Sequence, residues 1–91
     1  MIISFPQQVP AHCGRSLMLI FPTVVDGERI ERRVSAEALG DHFGAASLRE
    51  EDLLAAFEAH RDKIEGAARR LLRAFGRKPV LMHSGYFRFC E

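Results

Sequence analysis

The feature that most constrains this chain is the dipeptide Asp26-Gly27, which lies between two runs rich in β-branched and aromatic residues. Asp-Gly is a preferred sequence for a two-residue type I′ turn, because both positions of that turn require a positive φ. The sequence therefore predicts a β-hairpin over Ser16 to Val34. Counting outward from the turn gives the pairs Thr23 with Ile30, Phe21 with Arg32 and Leu19 with Val34.

The two faces of this hairpin differ, because successive side chains of a strand point to opposite sides. One face is predicted to be the core side and carries Leu17, Leu19, Phe21, Ile30 and Val34. The other face carries Met18, Ile20, Pro22 and Val24 on one strand and Arg29, Glu31 and Arg33 on its partner. A half-apolar outer face needs cover from other strands, from a second chain or from the long arginine stems.

Two helices are predicted after the hairpin. The first runs from a Ser35 cap to Phe43 and ends at Gly40 or Gly44. The second runs from Leu48 to Phe75, about 40 Å at 1.5 Å per residue. Its signals are a capping box, Ser47-Leu-Arg-Glu50, and an apolar stripe at helical spacing: Leu53, Phe57, Ile64, Ala68, Leu71 and Phe75. Gly66 lies in the middle of this helix and costs about 1 kcal/mol relative to alanine.

The ends of the chain carry weaker signals. Ile2 to Phe5 is predicted to be a short strand, and Pro10 to Gly14 a loop. Val80 to His83 and Tyr86 to Cys90 are strand candidates, either as a hairpin or as one interrupted strand. The whole pattern predicts a two-layer α+β fold, with a mainly antiparallel sheet of four or five strands against one long and one short helix.

Composition limits the class of protein. The chain has 91 residues, enough for a single domain, with 47% hydrophobic and 27% charged residues and a net charge of +1. These values exclude a disordered chain, a strongly cationic nucleic-acid binder and a disulfide-dense secreted scaffold. The longest apolar run, Leu17 to Pro22, is too short to cross a membrane, and no export signal is visible. We therefore expect a cytoplasmic protein in which Cys13 and Cys90 are reduced thiols.

The order of these segments resembles a family of small bacterial proteins known as domain-of-unknown-function family 1488. The resemblance is carried by I-I-S-F-P, F-P-T-V-V-D-G-E-R-I, V-S-A-E-A-L-G-D-H-F-G and A-F-E-A-H-R-D-K-I-E-G-A-A-R-R-L, and it covers roughly Met1 to Phe89. It implies an α+β domain of this length with an antiparallel sheet, and it implies no activity, substrate or catalytic residue. In that family the position of Arg32 often holds a smaller, less polar residue, which implies a local difference in this sheet.

Motifs for catalysis, cofactors or metals are not found in the sequence. No Cys-x-x-Cys or His-x-x-x-His pair is present, no Gly-rich phosphate loop occurs, and no serine lies in a nucleophile-elbow context. Cys13 follows His12, but adjacent residues of an extended chain point in opposite directions. We expect no catalytic, cofactor-binding or metal-binding residues, and therefore a protein that is not an enzyme.

His60 and Arg61 are the first candidate site, because Arg61 falls within the apolar stripe of the long helix and His60 at its edge. A charge on a buried stripe must be paired or must reach solvent. The preferred interpretation is a structural ion pair between Arg61 and Asp41 or Glu37. The alternative is a pocket for a small anion at His60 and Arg61.

A basic cluster at the end of the long helix is the second candidate site. Its members are Arg69, Arg70, Arg73, Arg77 and Lys78. Helix C-termini favour cations through the helix dipole, so the preferred interpretation is a solvated basic face. Nucleic-acid contact is the alternative.

Self-association is a further expectation, either through a sheet edge or through the face of Met18, Ile20 and Val24. The function that the sequence favours is that of a non-enzymatic cytoplasmic interaction or accessory domain. Its alternatives are a nucleic-acid-binding module and, more weakly, a small-anion-binding domain.

Overall fold

A computed structural model describes residues 1–15, 17–78 and 81–87, with Tyr86 described by its backbone alone. Along these ranges the fold is α+β, with five strands, three helices and a final single helical turn. The elements in chain order are β1 (Ile3–Ser4), β2 (Ala11–Cys13), β3 (Met18–Val25), β4 (Glu28–Ser35), α1 (Ala36–Phe43), α2 (Glu50–Ala59), α3 (Arg61–Phe75), β5 (Leu81–Met82) and α4 (Ser84–Phe87).

The hairpin of β3 and β4 has the predicted turn and the predicted register. Asp26 and Gly27 both have positive φ, 52° and 84°, as a type I′ turn requires. Phe21 lies opposite Arg32, and the pairs on either side agree with the count from the turn. The Asp-Gly dipeptide therefore determines which residues of this hairpin face the core.

The sheet is mixed: β4 and β5 are parallel, while the pairs that β3 forms are antiparallel, so the expected mainly antiparallel sheet is confirmed only in part. Its strands lie in the order β1-β3-β4-β5, β2 also pairs with β3, and β5 runs parallel to β4. A parallel neighbour requires a crossover connection, and α1, α2 and α3 form it. The expected strand at Tyr86 to Cys90 is wrong in its first residues, because α4 occupies Ser84–Phe87, and 88–90 lie outside the described residues.

The N-terminal segment contributes two short strands to one edge of β3. Ile3 pairs with Val25, and Ala11 pairs with Ile20 further along the same strand. The predicted loop over Pro10 to Gly14 is therefore wrong, since β2 lies within it. Three residues are too few to show a hydrophobic period, so only pairing with β3 defines this strand.

Helix α1 begins and ends at predicted residues. The Ser35 side chain accepts a hydrogen bond of 3.0 Å from the amide of Ala38, which is the expected N-cap interaction. Gly44, with φ of 72° and ψ of 25°, terminates the helix in the left-handed region.

The expected single long helix is instead two helices, α2 and α3, which meet at His60. The backbone of His60 has φ of −123° and ψ of 24°, outside the helical region. The predicted capping box does not form, because Arg49 is the N-cap of α2 and the Ser47 hydroxyl donates to Asp52 instead.

One hydrophobic core joins the sheet to the helices. Leu19, Phe21 and Val34 of the sheet pack with Phe57 and Ile64, and the rings of Phe21 and Phe57 lie 5.3 Å apart. Two residues expected in the core are exposed instead: Leu17, which precedes β3, and Phe75, the last residue of α3. The helices therefore occupy one face of the sheet, and the second face points away from them.

Candidate functional site

The second face of the sheet, here called the outer sheet face, combines apolar and charged side chains. On β3 it carries four half-buried apolar residues, which alternate with buried ones: Met18, Ile20, Pro22 and Val24. On β4 it carries three exposed residues of alternating charge: Arg29, Glu31 and Arg33. Leu81 of β5 pairs with Arg33 and adds an apolar side chain that is 40% exposed. This surface agrees with the half-apolar face predicted from the sequence.

Part of the basic cluster at the end of α3 has structural partners. Arg77 lies 3.6 Å from the Asp26 carboxylate and 3.4 Å from that of Glu28, and it donates to the carbonyl of Val25. Arg69 places its guanidinium over the ring of Phe5, 5.3 Å from the centroid. These two arginines attach α3 to the hairpin turn and to the N-terminal segment.

The remaining members of the cluster are exposed. Arg73 and Lys78 have no ion pair within the described residues, whereas Arg70 does interact with another part of the chain. Phe75 lies between them in sequence and is 58% exposed. Arg73, Phe75 and Lys78 are therefore exposed side chains of one short segment that are accessible to a partner.

Arg61 is largely buried, and both terminal nitrogens of its guanidinium make structural contacts. Its side chain is 11% exposed, and its guanidinium lies 3.1 Å from the Glu58 carboxylate and 3.7 Å from that of Glu65. It also donates to the carbonyl of Gln8 at 2.6 Å and covers the ring of Phe57. Arg61 thus fastens the N-terminal segment to the junction of α2 and α3.

The partners of Arg61 are not the ones expected from the sequence. Asp41 accepts a hydrogen bond from Ser84 instead, and Glu37 is exposed in the first turn of α1. His60 packs its ring against Phe43, with centroids 5.3 Å apart. His60 and Arg61 therefore lie in two different environments, and the structure does not bring them together around one ligand.

Arg32 is a buried cation that the sequence reasoning placed opposite Phe21 without including it in the core. It is 1% exposed and donates to two carbonyls at the end of α3, that of Lys78 at 2.7 Å and that of Gly76 at 2.9 Å. Burial lowers the pKa of Arg32, because desolvation penalises the charged form. Its role is to fill the core and to bind the C-terminal end of α3.

A serine, a histidine and an aspartate meet where α4 packs on α1. The Ser84 hydroxyl donates to the Asp41 carboxylate at 2.7 Å, and the His42 Nε2 lies 2.9 Å from the Ser84 carbonyl and 3.2 Å from its hydroxyl. In a catalytic triad the carboxylate orients the histidine, which then accepts the serine proton. In this protein the aspartate and the histidine each contact the serine, which is not the order of contacts in a triad. Because Ser84 is also buried, the arrangement anchors α4 to α1.

Metal-binding geometry is not found in the part of the chain that the structure describes, where no three histidine, cysteine or acidic side chains converge. His12 pairs with Glu50 at 3.3 Å and connects β2 to α2. Cys90 lies outside the described residues, so the expected reduced state of the two cysteines stays a prediction.

A cavity of about 540 Å³ lies between α1, α3 and α4, and the sequence reasoning missed it. His42, Phe43, Lys63 and Gly66 are among the residues that line it. The only local signal for it is Gly66, whose position inside a helix has an energetic cost without a visible benefit in the sequence.

The fold and these surfaces define a small α+β domain with charged and apolar faces. A family model described as "Protein of unknown function (DUF1488)" matches residues 3–81. The chain belongs to this family, as the resemblance of its segments implied. No curated protein and no solved structure matches the chain.

The helices of the described residues differ from helices that span a membrane. None of them has both the length and the apolar character needed to cross a bilayer.

Proposed function

We propose that this protein is a non-enzymatic interaction domain of the cytoplasm, and that its outer sheet face binds a second copy of the same chain. The observation that carries this proposal is the alternation along β3, where half-buried apolar side chains point away from the helices. A contiguous apolar strip with a charged border is the usual composition of a protein-binding surface.

A second copy fits this face by charge. On β4 the sequence of exposed charges is positive, negative and positive, at Arg29, Glu31 and Arg33. A surface that carries both signs side by side can pair its own acidic residue with the basic residues of its copy, as an isologous interface requires. The net charge of +1 adds little repulsion between two copies.

The size of the face indicates a weak dimer. Two strands of eight residues with one neighbour on each side cover roughly 27 by 19 Å, or about 500 Å². Stable interfaces bury about 800 Å² from each partner. We therefore expect association in the micromolar range or above, so that the dimer forms only at high local concentration.

Sedimentation velocity over a wide range of concentration tests this proposal with the variant Ile20→Glu. We expect the wild-type chain to dimerise reversibly. In the variant we expect the dimer affinity to fall at least about tenfold, because a carboxylate would be desolvated at the interface. Leu48→Glu is the matched control, since Leu48 is an exposed apolar residue before α2. A wild-type chain that remains monomeric up to about 1 mM would contradict the proposal.

Single-stranded nucleic acid is a second candidate partner, favoured by one observation. Phe75 is exposed in the same short segment as the exposed cations Arg73 and Lys78, and single-strand-binding surfaces combine cations with aromatic rings on which bases stack. Base stacking on Phe75 would tolerate different base sequences, and phosphate contacts of the two cations would make the binding sensitive to salt.

Fluorescence anisotropy with a labelled single strand and a labelled duplex at low salt tests this candidate. We expect the double variant Arg73→Gln/Lys78→Gln to weaken single-strand binding about tenfold. The double variant Arg29→Gln/Arg33→Gln removes the same charge from the outer sheet face and is the matched control. Equal losses in both double variants would indicate a non-specific effect of net charge, and absence of salt-sensitive binding would exclude the candidate.

A further inference from the structure

We propose that the cavity between α1, α3 and α4 is a binding site for a small organic anion with a planar, aromatic or conjugated body. Lys63 is assigned to the carboxylate or phosphate of this ligand. At about 540 Å³ the cavity has the size of pockets that accept small molecules. This proposal does not depend on the outer sheet face, which lies on the other side of the sheet from the helices.

One wall of the cavity is a single face of α3. Lys63, Gly66, Ala67 and Arg70 line the cavity and follow one another at the i, i+3, i+4 and i+7 spacing of a helix face. The two central residues are the smallest in this wall, and the two at the ends carry positive charge. This face therefore presents a shallow apolar surface with a cation at either end, about 10 Å apart along the helix axis.

The opposite side of the cavity is aromatic. Phe43 of α1 and Phe87 of α4 are buried, and their rings meet edge to face with centroids 5.0 Å apart. The His42 ring lies 5.8 Å from that of Phe87 and is held through its Nε2 by the Ser84 carbonyl. Rings held in fixed orientations favour a flat ligand body, because stacked and edge-on contacts are the stable arrangements of aromatic groups.

Gly66, like Gly40 of α1, is a helical glycine that the fold alone does not explain, and of the two it is Gly66 that lines the cavity. A glycine inside a helix is less stable than alanine, and apart from its chain neighbours and its own helix backbone no atom lies within 4 Å of the position that its Cβ would take. Close packing therefore does not require glycine here. The missing side chain leaves open space at the centre of the cavity wall, and departures from local sequence rules occur mainly at functional sites.

The charges around the cavity favour an anion. Lys63 is exposed and has no ion pair within the described residues, so its ammonium group is available to a ligand. Arg70 already has an interaction elsewhere in the chain and is assigned a secondary role. Asp62 also lines the cavity, so the fixed charges there are two positive and one negative.

Titrations followed by the amide signals of the labelled protein test the proposal with four probes. These are benzoate and phenyl phosphate, which carry a ring and an anion, benzamide, which is neutral, and inorganic phosphate, which has no ring. We expect saturable shifts at Phe43, Gly66 and Ala67 for the first two probes, with a dissociation constant of about 1 mM or below. Their relative affinities distinguish a carboxylate ligand from a phosphate ligand, and tighter binding of benzamide or inorganic phosphate would overturn the proposal.

Two variants separate the contributions of charge and space. Lys63→Gln is expected to weaken benzoate about fivefold and to leave benzamide unchanged, with Lys78→Gln as the matched control. Gly66→Leu is expected to abolish binding of both probes by placing an isobutyl group at the centre of the cavity wall, while the melting temperature rises by several degrees. Benzoate that does not saturate by about 20 mM, or that binds Lys63→Gln as it binds the wild-type chain, would overturn the proposal.

Discussion

Arg32 combines a full charge with almost complete burial, and no carboxylate pairs with it within the described residues. The carbonyls of Gly76 and Lys78 bind two of its guanidinium nitrogens, and its Nε has no hydrogen-bond partner among the described residues. Desolvating a charge costs several kcal/mol, and two bonds to neutral acceptors offset only part of this cost. Although burial lowers its pKa, an arginine stays protonated at neutral pH, so this cost does not vary between pH 5 and pH 9.

Substitutions at Arg32 test which property the core uses. We expect Arg32→Met to change the free energy of unfolding by at most about 1.5 kcal/mol, because it keeps the volume and removes a desolvated charge. Arg32→Lys is expected to cost about 2–3 kcal/mol, since an ammonium is more strongly hydrated and cannot span both carbonyls. Urea melts followed by circular dichroism measure both values. If Arg32→Lys were the more stable of the two, binding of both carbonyls by one planar guanidinium would not be what stabilises this site.

Residues whose structural role is local could be predicted from the sequence, and Arg32 could not. Ser35 caps α1 and Asp26-Gly27 forms the turn because each signal acts within a few residues. The burial of Arg32 depends on carbonyls 44 and 46 positions away in the chain, which no local pattern reveals.

At the scale of elements, the break between α2 and α3 could not be predicted either, because it too depends on contacts with residues distant in the chain. The apolar positions Phe57, Ile64 and Leu71 are seven residues apart and continue through His60 without a change of phase. Neither glycine nor proline lies at the junction, so a single helix is the interpretation that the period favours. The junction coincides with tertiary contacts, those of His60 with Phe43 and of Arg61 with the N-terminal segment.

The C-terminal end of α3 depends on Gly76, whereas Gly40 inside α1 has no such requirement. Gly76 has φ of 67° and ψ of −145°, a region open only to glycine, so Gly76→Ala is expected to cost about 1–3 kcal/mol. Gly40 lies in regular helix with no atom near its missing Cβ, so Gly40→Ala is expected to gain about 1 kcal/mol. Denaturant melts of the two variants are matched controls for each other. A gain at both positions would mean that α3 continues past residue 75.

For the whole molecule, the hairpin register determines both the core and the outer sheet face. Because the register is fixed by Asp26-Gly27, Phe21 reaches the core while Ile20 and Val24 point away from it. The hairpin and its two faces were therefore predictable, and the strand candidate at Val80 to His83 contains β5, whereas the parallel direction of β5 and the cavity were not predicted. Both of these depend on how the chain returns to the sheet after α3. The segments that make this return, β5 and α4, are too short to show a hydrophobic period in the sequence.

We propose that the outer sheet face is the surface on which this protein associates with its own copy. Amide spectra of the labelled wild-type chain, recorded from about 20 µM to 1 mM, test it most directly. We predict concentration-dependent shifts centred on residues 18–24 and 29–33, with the amides of α2 unchanged. Shifts centred on residues 73–78, or spectra identical at all concentrations, would contradict it.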